Sequence, residues 1–331
     1  MTVLVTGGAG YIGSHMVLAL RDAGRDVVVV DDLSTGLRSA VPANVPLVVG
    51  CVGDEALMAR VIKDHGVQAI AHFAGSIVVP ESVADPIDYY LNNTVRSRAL
   101  IAAAVAGGVK RFLFSSTAAV YGEASSEPLS EDAPLDPVSP YGASKLMTER
   151  MLADASVAYG LSYGVLRYFN VAGADPHGRA GQSGARATHL IKVAAQAALG
   201  QRGHLECFGE DYPTRDGTCV RDYIHVSDLA RAHVLALDHL ADGAESFVAN
   251  CGYGRGASVK EVIAAVKRAS GVDFPVRKAP RRDGDPASLV ADPSRIRATL
   301  GWRAEHDDLD AIVASALAWE ASLAGVRRAA A

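Results

Sequence analysis

Residues 6–13 read TGGAGYIG and connect a short apolar strand pattern at residues 3–5 to an apolar-periodic stretch at residues 11–20. This order predicts a strand, a glycine turn and a helix. Glycines are needed where the backbone approaches a pyrophosphate closely, and the helix N-terminus then supplies amide donors to the phosphates. The spacing of Gly7, Gly10 and Gly13 is a variant of the commoner Gly-x-Gly-x-x-Gly, so the stretch predicts a dinucleotide site.

A second strand pattern, at residues 26–30, ends in Asp31. This acid lies about twenty residues beyond the loop, which is typical of a carboxylate that binds the hydroxyls of the adenosine ribose. Because such a carboxylate repels a 2′-phosphate, NAD is predicted rather than NADP. A plain surface turn followed by a solvated Asp explains the ordered strand, loop, helix and strand less well.

Residues 141–145 read YGASK and predict a tyrosine that acts as an acid and base. Residues four apart share a helix face, so the charge of Lys145 can lie beside the Tyr141 phenol and favour its ionised form. The unperturbed pKa of tyrosine is about 10, so the phenol also needs the field of an oxidised nicotinamide. Such a pair is more often an apolar ring and an extended stem, but here Thr117 supplies a hydroxyl after an apolar strand. Alone, Thr117 is more typical of a local cap.

The composition excludes several classes of function. The chain has 331 residues, of which 49% are hydrophobic and 21% charged, and its net charge is -5. It has no basic footprint for nucleic acid and no apolar run long enough to span a membrane. Without a leader pattern, a cytoplasmic location is expected. The histidines show no metal-ligand spacing, and neither do the widely spaced Cys51, Cys207, Cys219 and Cys251, so reduced thiols and no metal are expected.

Strand and helix patterns alternate through the first half of the chain and predict a parallel sheet covered on both faces. Further strands are expected at residues 47–49, 69–73, 111–114 and 162–168, and helices at residues 92–107, 188–199, 226–239 and 259–270. The predicted fold is α/β, a Rossmann-like doubly wound parallel sheet with a smaller C-terminal α/β domain. We expect an NAD-binding domain at residues 1–170 and a substrate domain at residues 171–331.

The chain resembles the extended short-chain dehydrogenase/reductase superfamily and, within it, the UDP-glucose 4-epimerase family. The similar segments are TGGAGYIGSH, HFAG, SSTAAVYGE, SPYGASKLMTE, LRYFNVAGA, FGEDYPTRDGTCVRDYIHVSDLA and RRDGDP, of which the last two are the most specific. The resemblance covers nearly the whole chain. It implies reversible interconversion of UDP-galactose and UDP-glucose by NAD-mediated oxidation and reduction at C4, through a 4-keto sugar. It also implies a homodimer formed through the helices that follow Asn92 and Tyr141.

The resemblance also assigns residues. Tyr141 is implied to be the acid/base, Lys145 its partner and Thr117 the third catalytic hydroxyl. The implied NAD site comprises Gly7, Gly10, Tyr11, Ile12, Gly13, Asp31, Asp32, Leu33, Ser34, Cys51, Val52, Phe73, Ala74, Gly75, Asn92, Tyr141, Lys145 and Phe169. The implied UDP-sugar site comprises Thr117, Tyr141, Asn170, His189, Leu190, Phe208, Arg221, Arg282 and Asp285. Two guanidinium groups suit a diphosphate because they make bidentate bonds.

The sequence departs from the family pattern at several positions. Thr117 stands where many relatives have serine, which keeps the hydroxyl. Cys51 stands for an Asp near the adenine, Ile77 for a lysine near the cofactor, and His189 for an asparagine near the substrate. Leu289 is implied to form the wall that decides whether N-acetyl groups fit, and its bulk favours glucose and galactose over N-acetylhexosamines.

Other functions remain open at this stage. A 4,6-dehydratase or a decarboxylase of the same superfamily shares Tyr, Lys and hydroxyl, but elimination needs an extra acid and base where this chain has Ala118 and Ala119. A non-catalytic NAD-binding sensor or scaffold would not need Thr117, Tyr141 and Lys145 together. A simple dehydrogenase would need NAD to exchange.

Overall fold

A parallel sheet carries the N-terminal glycine loop. The computed structural model describes residues 1–123, 128–184, 188–282 and 285–329, with side chains to residue 325. Its strands are β1 (Thr2–Thr6), β2 (Asp26–Asp31), β3 (Leu47–Val49), β4 (Ala69–His72), β5 (Arg111–Thr117), β6 (Ser162–Tyr168), β7 (Asn170–Ala172), β8 (Leu205–Phe208), β9 (Val220–His225), β10 (Phe247–Cys251), β11 (Gly256–Ser258), β12 (Val276–Ala279) and β13 (Ser288–Leu289).

The helices cover the sheet and build the second half of the chain. They are α1 (Tyr11–Asp22), α2 (Glu55–Asp64), α3 (Val79–Ala84), α4 (Pro86–Tyr89), α5 (Arg96–Ala106), α6 (Pro140–Tyr159), α7 (Leu190–Ala198), α8 (Val226–Ala241), α9 (Val259–Ser270), α10 (Ser294–Leu300) and α11 (Leu309–Ala329). Short 3₁₀ turns lie at Arg38–Ala40 and Ala118–Tyr121, and a π-helix lies at Tyr90–Val95.

The large sheet has the strand order β10-β6-β5-β4-β1-β2-β3, and its pairs are parallel. Its central strands are buried on both faces: Val3 and Val5 pack in one apolar cluster and Leu4 in another. Continuous apolar strands of this kind are expected where helices cover both faces. The prediction of a Rossmann-like parallel sheet is confirmed.

The second half of the chain adds smaller sheets. β9 lies between β11 and β13 and also pairs with β7, while β8 pairs with β12. β10, however, pairs with β6 in the large sheet. Residues beyond 170 therefore contribute to both parts, and the division into two domains stays a prediction.

Some predicted element boundaries are wrong. β5 continues to Thr117, three residues past the predicted end, because Ser115, Ser116 and Thr117 pair with β6. The helix expected at residues 92–107 begins as the π-helix Tyr90–Val95 and becomes α-helical at Arg96. In the described chain no helix is long and apolar enough to cross a membrane.

Candidate active site

The glycine loop is built for close backbone approach. Gly7 has φ of +70°, and a Cβ there would lie 2.6 Å from the backbone nitrogen of Ala74 at the end of β4. A Cβ on Gly13 would overlap the carbonyl oxygen of Gly7. Gly10 is the N-cap of α1, so the first turn of this helix presents amide groups with no side chain in front of them. The loop fits a pyrophosphate.

Asp31 ends β2 and is tied to the glycine loop. Its Oδ2 accepts from the Ala9 amide at 2.9 Å, and its Oδ1 accepts from the Leu33 amide at 2.8 Å. Burial raises the pKa of Asp31, and both backbone bonds oppose that shift. Each carboxylate oxygen keeps a further lone pair for a ligand. The carboxylate can therefore accept from the hydroxyls of a ribose, and its binding of NAD stays a prediction.

The remaining predicted NAD residues lie near the carboxyl edge of the large parallel sheet. Tyr11 donates to the Gly173 carbonyl at 2.6 Å, and Ile12 follows it in α1. Ser34 donates to Asp32, and Gly53 donates to the Cys51 sulfur at 3.4 Å. Val52 and Phe169 are buried in apolar clusters, and Phe73, Ala74 and Gly75 directly follow β4.

Tyr141 lies in the first turn of α6 and is buried. Gly142 makes this position possible, because a Cβ there would overlap the Ala119 carbonyl oxygen. The close approach brings the tyrosine to the end of β5, where Thr117 caps the following 3₁₀ turn by accepting from the Ala119 amide at 3.2 Å. A hydrogen bond with the Thr117 hydroxyl lowers the pKa of Tyr141, but burial raises it more.

The pKa of Tyr141 is not lowered, although the sequence predicted that the charge of Lys145 would favour the ionised phenol. The pKa of the phenol is raised in the protein chain, and burial is the cause. Lys145 therefore does not make the phenol acidic by itself. The positive nicotinamide, which the sequence argument also required, has to supply the remaining stabilisation of the phenolate.

Lys145 faces the end of β4 and β5. Its Nζ donates to the Ser115 carbonyl at 3.2 Å and lies 4.9 Å from the centre of the Phe114 ring. A Cβ built on Gly75 would lie 3.6 Å from this Nζ. Burial lowers the pKa of Lys145 to about 8, and the charge of Glu149 opposes the shift. The ammonium thus lies between the helix and the nucleotide edge.

Two supports of this centre were missed by sequence reasoning. Glu149, one turn beyond Lys145, accepts from Ser116 at 2.5 Å and from Arg167 at 2.6 Å, and all three side chains are buried. Its position four residues after Lys145 was a usable signal, since residues four apart share a helix face.

Asn93 is the second support. Its Oδ1 accepts from the Ser76 amide at 2.8 Å, and its Nδ2 donates to Ser144 at 3.1 Å. It therefore joins the loop after β4 to the catalytic helix from inside the π-helix, a geometry frequent at functional sites. The predicted neighbour Asn92 instead donates to the Ser76 hydroxyl at 2.7 Å.

The predicted substrate residues form two groups around the smaller sheets. Arg221 on β9 pairs with Asp285 at 2.5 Å, and Arg282 stacks on the Phe208 ring at 3.9 Å. The Asp285 amide donates to the Arg282 carbonyl at 3.3 Å, which joins the two contacts. The arginines therefore lie together, as a diphosphate site requires, although Arg221 already shares its charge with Asp285.

The second group lines a pocket between β7 and α7. Asn170, His189 and Leu190 are in its wall, and β7 pairs with β9 so that Asn170 lies opposite Tyr223. Tyr223 is two residues from Arg221 on the same strand, so Asn170 and Arg221 belong to one sheet. Leu289 is the β13 partner of Arg221 and packs against the cluster that contains Phe169.

A buried Tyr, Lys and hydroxyl at the carboxyl edge of a parallel sheet, beside a glycine loop and an acid at the end of β2, define an NAD-dependent extended short-chain dehydrogenase/reductase. The family model described as "NAD dependent epimerase/dehydratase family" matches residues 3–252. The chain belongs to this family. It is 62% identical to the UDP-glucose 4-epimerase of Azospirillum brasilense over 97% of this chain and 92% of that protein.

Solved structures agree with this assignment. The UDP-glucose 4-epimerase from Brucella ovis in complex with NAD has a TM-score of 0.93 and 44% identity, covering 96% of this chain and 98% of its own. The UDP-glucose 4-epimerase from Bifidobacterium longum in complex with NAD⁺ and UDP has a TM-score of 0.93 and 41% identity, covering 97% and 98%. The resemblance to UDP-glucose 4-epimerases predicted from sequence is confirmed.

Proposed function

We propose that this chain is an NAD-dependent isomerase that interconverts UDP-galactose and UDP-glucose through a 4-keto sugar. The observation that carries the proposal is the meeting of Thr117, Tyr141 and Lys145 at the end of β5, next to the glycine loop. Ligands of doubly wound sheets bind at this edge. The similarity to UDP-glucose 4-epimerases selects this reaction from those that the three residues support.

The residues described above fit NAD. Gly7, Gly10 and Gly13 would admit its pyrophosphate, Asp31 would bind the adenosine ribose, and Lys145 would contact the nicotinamide ribose. When bound, NAD supplies the oxidation and the later reduction at sugar C4. NAD ends each turnover in the oxidation state in which it began, so tight retention suits the reaction.

The chain's own residues move the proton and hold the substrate. Tyr141 accepts the proton of the sugar 4-hydroxyl and later returns it, while Thr117 bonds the same sugar oxygen. Arg221 and Arg282 anchor the diphosphate by charge-assisted bonds. Because the UDP part is firmly anchored, the sugar can turn over between the oxidation and the reduction. Each face of C4 can then be presented in turn to the nicotinamide side of the site, which inverts C4.

Competing reactions are less well supported. Ala118 and Ala119 form the 3₁₀ turn after Thr117 and carry no group that could move a proton for elimination. Leu289 pairs with Arg221 in the β9–β13 pair, and as the wall beside the sugar it would favour glucose and galactose over their N-acetylated counterparts. The rates with UDP-galactose and UDP-N-acetylgalactosamine should therefore differ, and equal rates would contradict the role of Leu289.

We also propose that two copies associate. Val83, Ile87, Leu91, Val95 and Met147 are exposed apolar side chains on α3, α4, the π-helix and α6, which contact one another. Exposed apolar patches of this kind mark association surfaces. The partner would be a second copy, because the resemblance implies a homodimer formed through the helices that follow Asn92 and Tyr141, and this surface includes residues of both.

Two neighbouring residues do not belong to this surface. Leu146 and Leu152, on the same helix as Met147, are buried in the chain's own core. We further propose a cytoplasmic location, and the four free cysteines support it because thiols stay reduced there.

The proposed reaction is tested by incubating the purified protein with UDP-galactose and separating the nucleotide sugars. Accumulation of UDP-glucose to a fixed ratio, with no net reduction of added NAD, is expected. Bound NAD without conversion would instead indicate a sensor, and reduced NAD formed in step with product would indicate a dehydrogenase.

A further inference from the structure

The pocket between β7, α7 and α11 contains polar residues that sequence reasoning did not assign. Gln182, Lys192 and Glu320 line it together with Asn170 and His189. Lys192 Nζ and Glu320 Oε2 form an ion pair at 2.6 Å, and the exposed fractions of the two side chains are only 4% and 2%. A buried ion pair need not stabilise the fold, because proteins in which apolar side chains replace such a pair are often as stable. Its position suggests a role in the pocket.

The ion pair fixes Gln182, and Gln182 contacts the predicted substrate residue His189. Lys192 Nζ donates to the Gln182 main-chain carbonyl at 2.6 Å. The Gln182 side-chain nitrogen lies 2.6 Å from His189 Nδ1. An amide nitrogen can only donate, so Nδ1 accepts and the single proton of the neutral imidazole lies on Nε2.

The surroundings keep this imidazole neutral. Burial lowers the pKa of His189, and the Lys192 ammonium lowers it further. Among the described residues, the charged groups that face the ring are Lys192 on α7 and, behind it, Glu320 on α11. His189 therefore presents an N–H donor and no charge.

We propose that Gln182, Lys192 and Glu320 are positioning residues that hold His189 as a neutral Nε2–H donor to the UDP-sugar. The inference rests on the proposed function, because it takes the ligand of this pocket to be the UDP-sugar. An asparagine, the residue that the resemblance places here in relatives, offers an amide donor of the same kind. The Gln182 contact thus accounts for histidine at a position that needs an uncharged donor.

Gln182→Glu tests the tautomer directly, since a carboxylate at this position accepts a hydrogen bond and so holds the ring proton on Nδ1. The neutral imidazole then presents a bare Nε2 to the ligand, and only the imidazolium restores the donor. The added carboxylate raises the pKa of His189 from its lowered value, because it favours the imidazolium. The affinity of this variant for UDP-glucose, measured by calorimetry from about pH 5 to pH 8.5, should fall about threefold or more as the pH rises through that pKa. The unaltered protein should show no such fall.

A matched control removes the titrating group. In Gln182→Glu/His189→Asn the added pH dependence should disappear, because asparagine does not titrate. Separately, His189→Asn should bind UDP-glucose within about twofold of the unaltered protein, whereas His189→Leu should bind about three- to tenfold more weakly. If Gln182→Glu does not fold, this second comparison still tests whether His189 acts as an uncharged donor to UDP-glucose.

Two results would overturn the inference. One is a Gln182→Glu pH profile that matches the unaltered protein, and the other is equal binding by His189→Asn and His189→Leu. Failure of the unaltered protein to bind UDP-glucose would reject the proposed function itself, so the two failures are distinguishable.

Discussion

Glu149 lies one helical turn beyond Lys145 on α6, and its Oε2 accepts from Arg167 Nη2 at 2.6 Å. Both partners of this ion pair are buried. The Glu149 charge raises the pKa of Lys145, which burial otherwise lowers, with a net value of about 8. The Glu149 charge therefore helps to keep the lysine protonated near neutral pH, where an ammonium is needed beside Tyr141.

Glu149→Gln should shift the pH dependence of turnover. Without the carboxylate charge the pKa of Lys145 falls below about 8, so the loss of turnover at high pH begins at a lower pH. The unpaired Arg167 charge should also lower the free energy of unfolding by about 3–5 kcal/mol. The measurements are kcat against pH and urea unfolding.

The control for this variant is Asp154→Asn, which removes an exposed acid from the same helix. Its pH profile and its stability should match those of the unaltered protein. An unchanged profile in Glu149→Gln would show that the carboxylate does not influence Lys145.

Tyr141→Phe should lower kcat by about 10²–10⁴-fold, because the phenol transfers the proton of the sugar hydroxyl. UDP-glucose binding should change little, since binding strength resides in the UDP part. Thr117→Ser keeps a hydroxyl and should keep most of the turnover, whereas Thr117→Val should not. Comparable losses of binding and turnover in Tyr141→Phe would argue against its assigned role.

Gly142→Ala should displace Tyr141, although Gly142 itself is not a predicted site residue. The added Cβ would overlap the Ala119 carbonyl, so α6 must move away from the 3₁₀ turn and Tyr141 from Thr117. We expect a loss of stability of about 1–3 kcal/mol and a lower kcat. Gly203→Ala is the control, because its Cβ meets no atom within 4 Å. Thermal unfolding and kcat are measured for both.

The residues predictable from sequence are those whose role follows from local pattern. The loop glycines and Asp31 lie at fixed spacings around one strand and one helix, and Tyr141 and Lys145 share a face of a single helix. These features need no knowledge of the tertiary structure.

The supporting residues depend on contacts between distant segments. Asn93 contacts Ser144 across 51 positions of the chain, and Glu149 contacts Ser116 across 33. The raised pKa of Tyr141 also escaped prediction, because it results from burial, which spacing alone does not give. Sequence reasoning therefore identified candidate residues and the elements that carry them, whereas their protonation depends on the packing.

Arg282→Ala should raise KM for UDP-galactose about tenfold to a hundredfold with little change in kcat, because it removes a charge-assisted contact made equally before and during the reaction. Arg282→Lys keeps the charge but loses the planar stack on Phe208, so an intermediate KM is expected. The adjacent Arg281, which pairs with exposed Asp211 at 2.7 Å, provides the control. Arg281→Ala should leave KM nearly unchanged, and an equal rise in both alanine variants would indicate a general charge effect.

Ile87→Asp should separate the proposed dimer into monomers. Ile87 is 76% exposed at the middle of the apolar surface formed by α3, α4, the π-helix and α6. A carboxylate there would be desolvated twice in a symmetric interface, once on each copy, which is costly without a cationic partner. Sedimentation or light scattering should give the mass of one chain for Ile87→Asp and of two chains for Val272→Asp, which alters an exposed valine in the loop after α9. A monomeric mass for the unaltered protein would show that this surface does not join two copies.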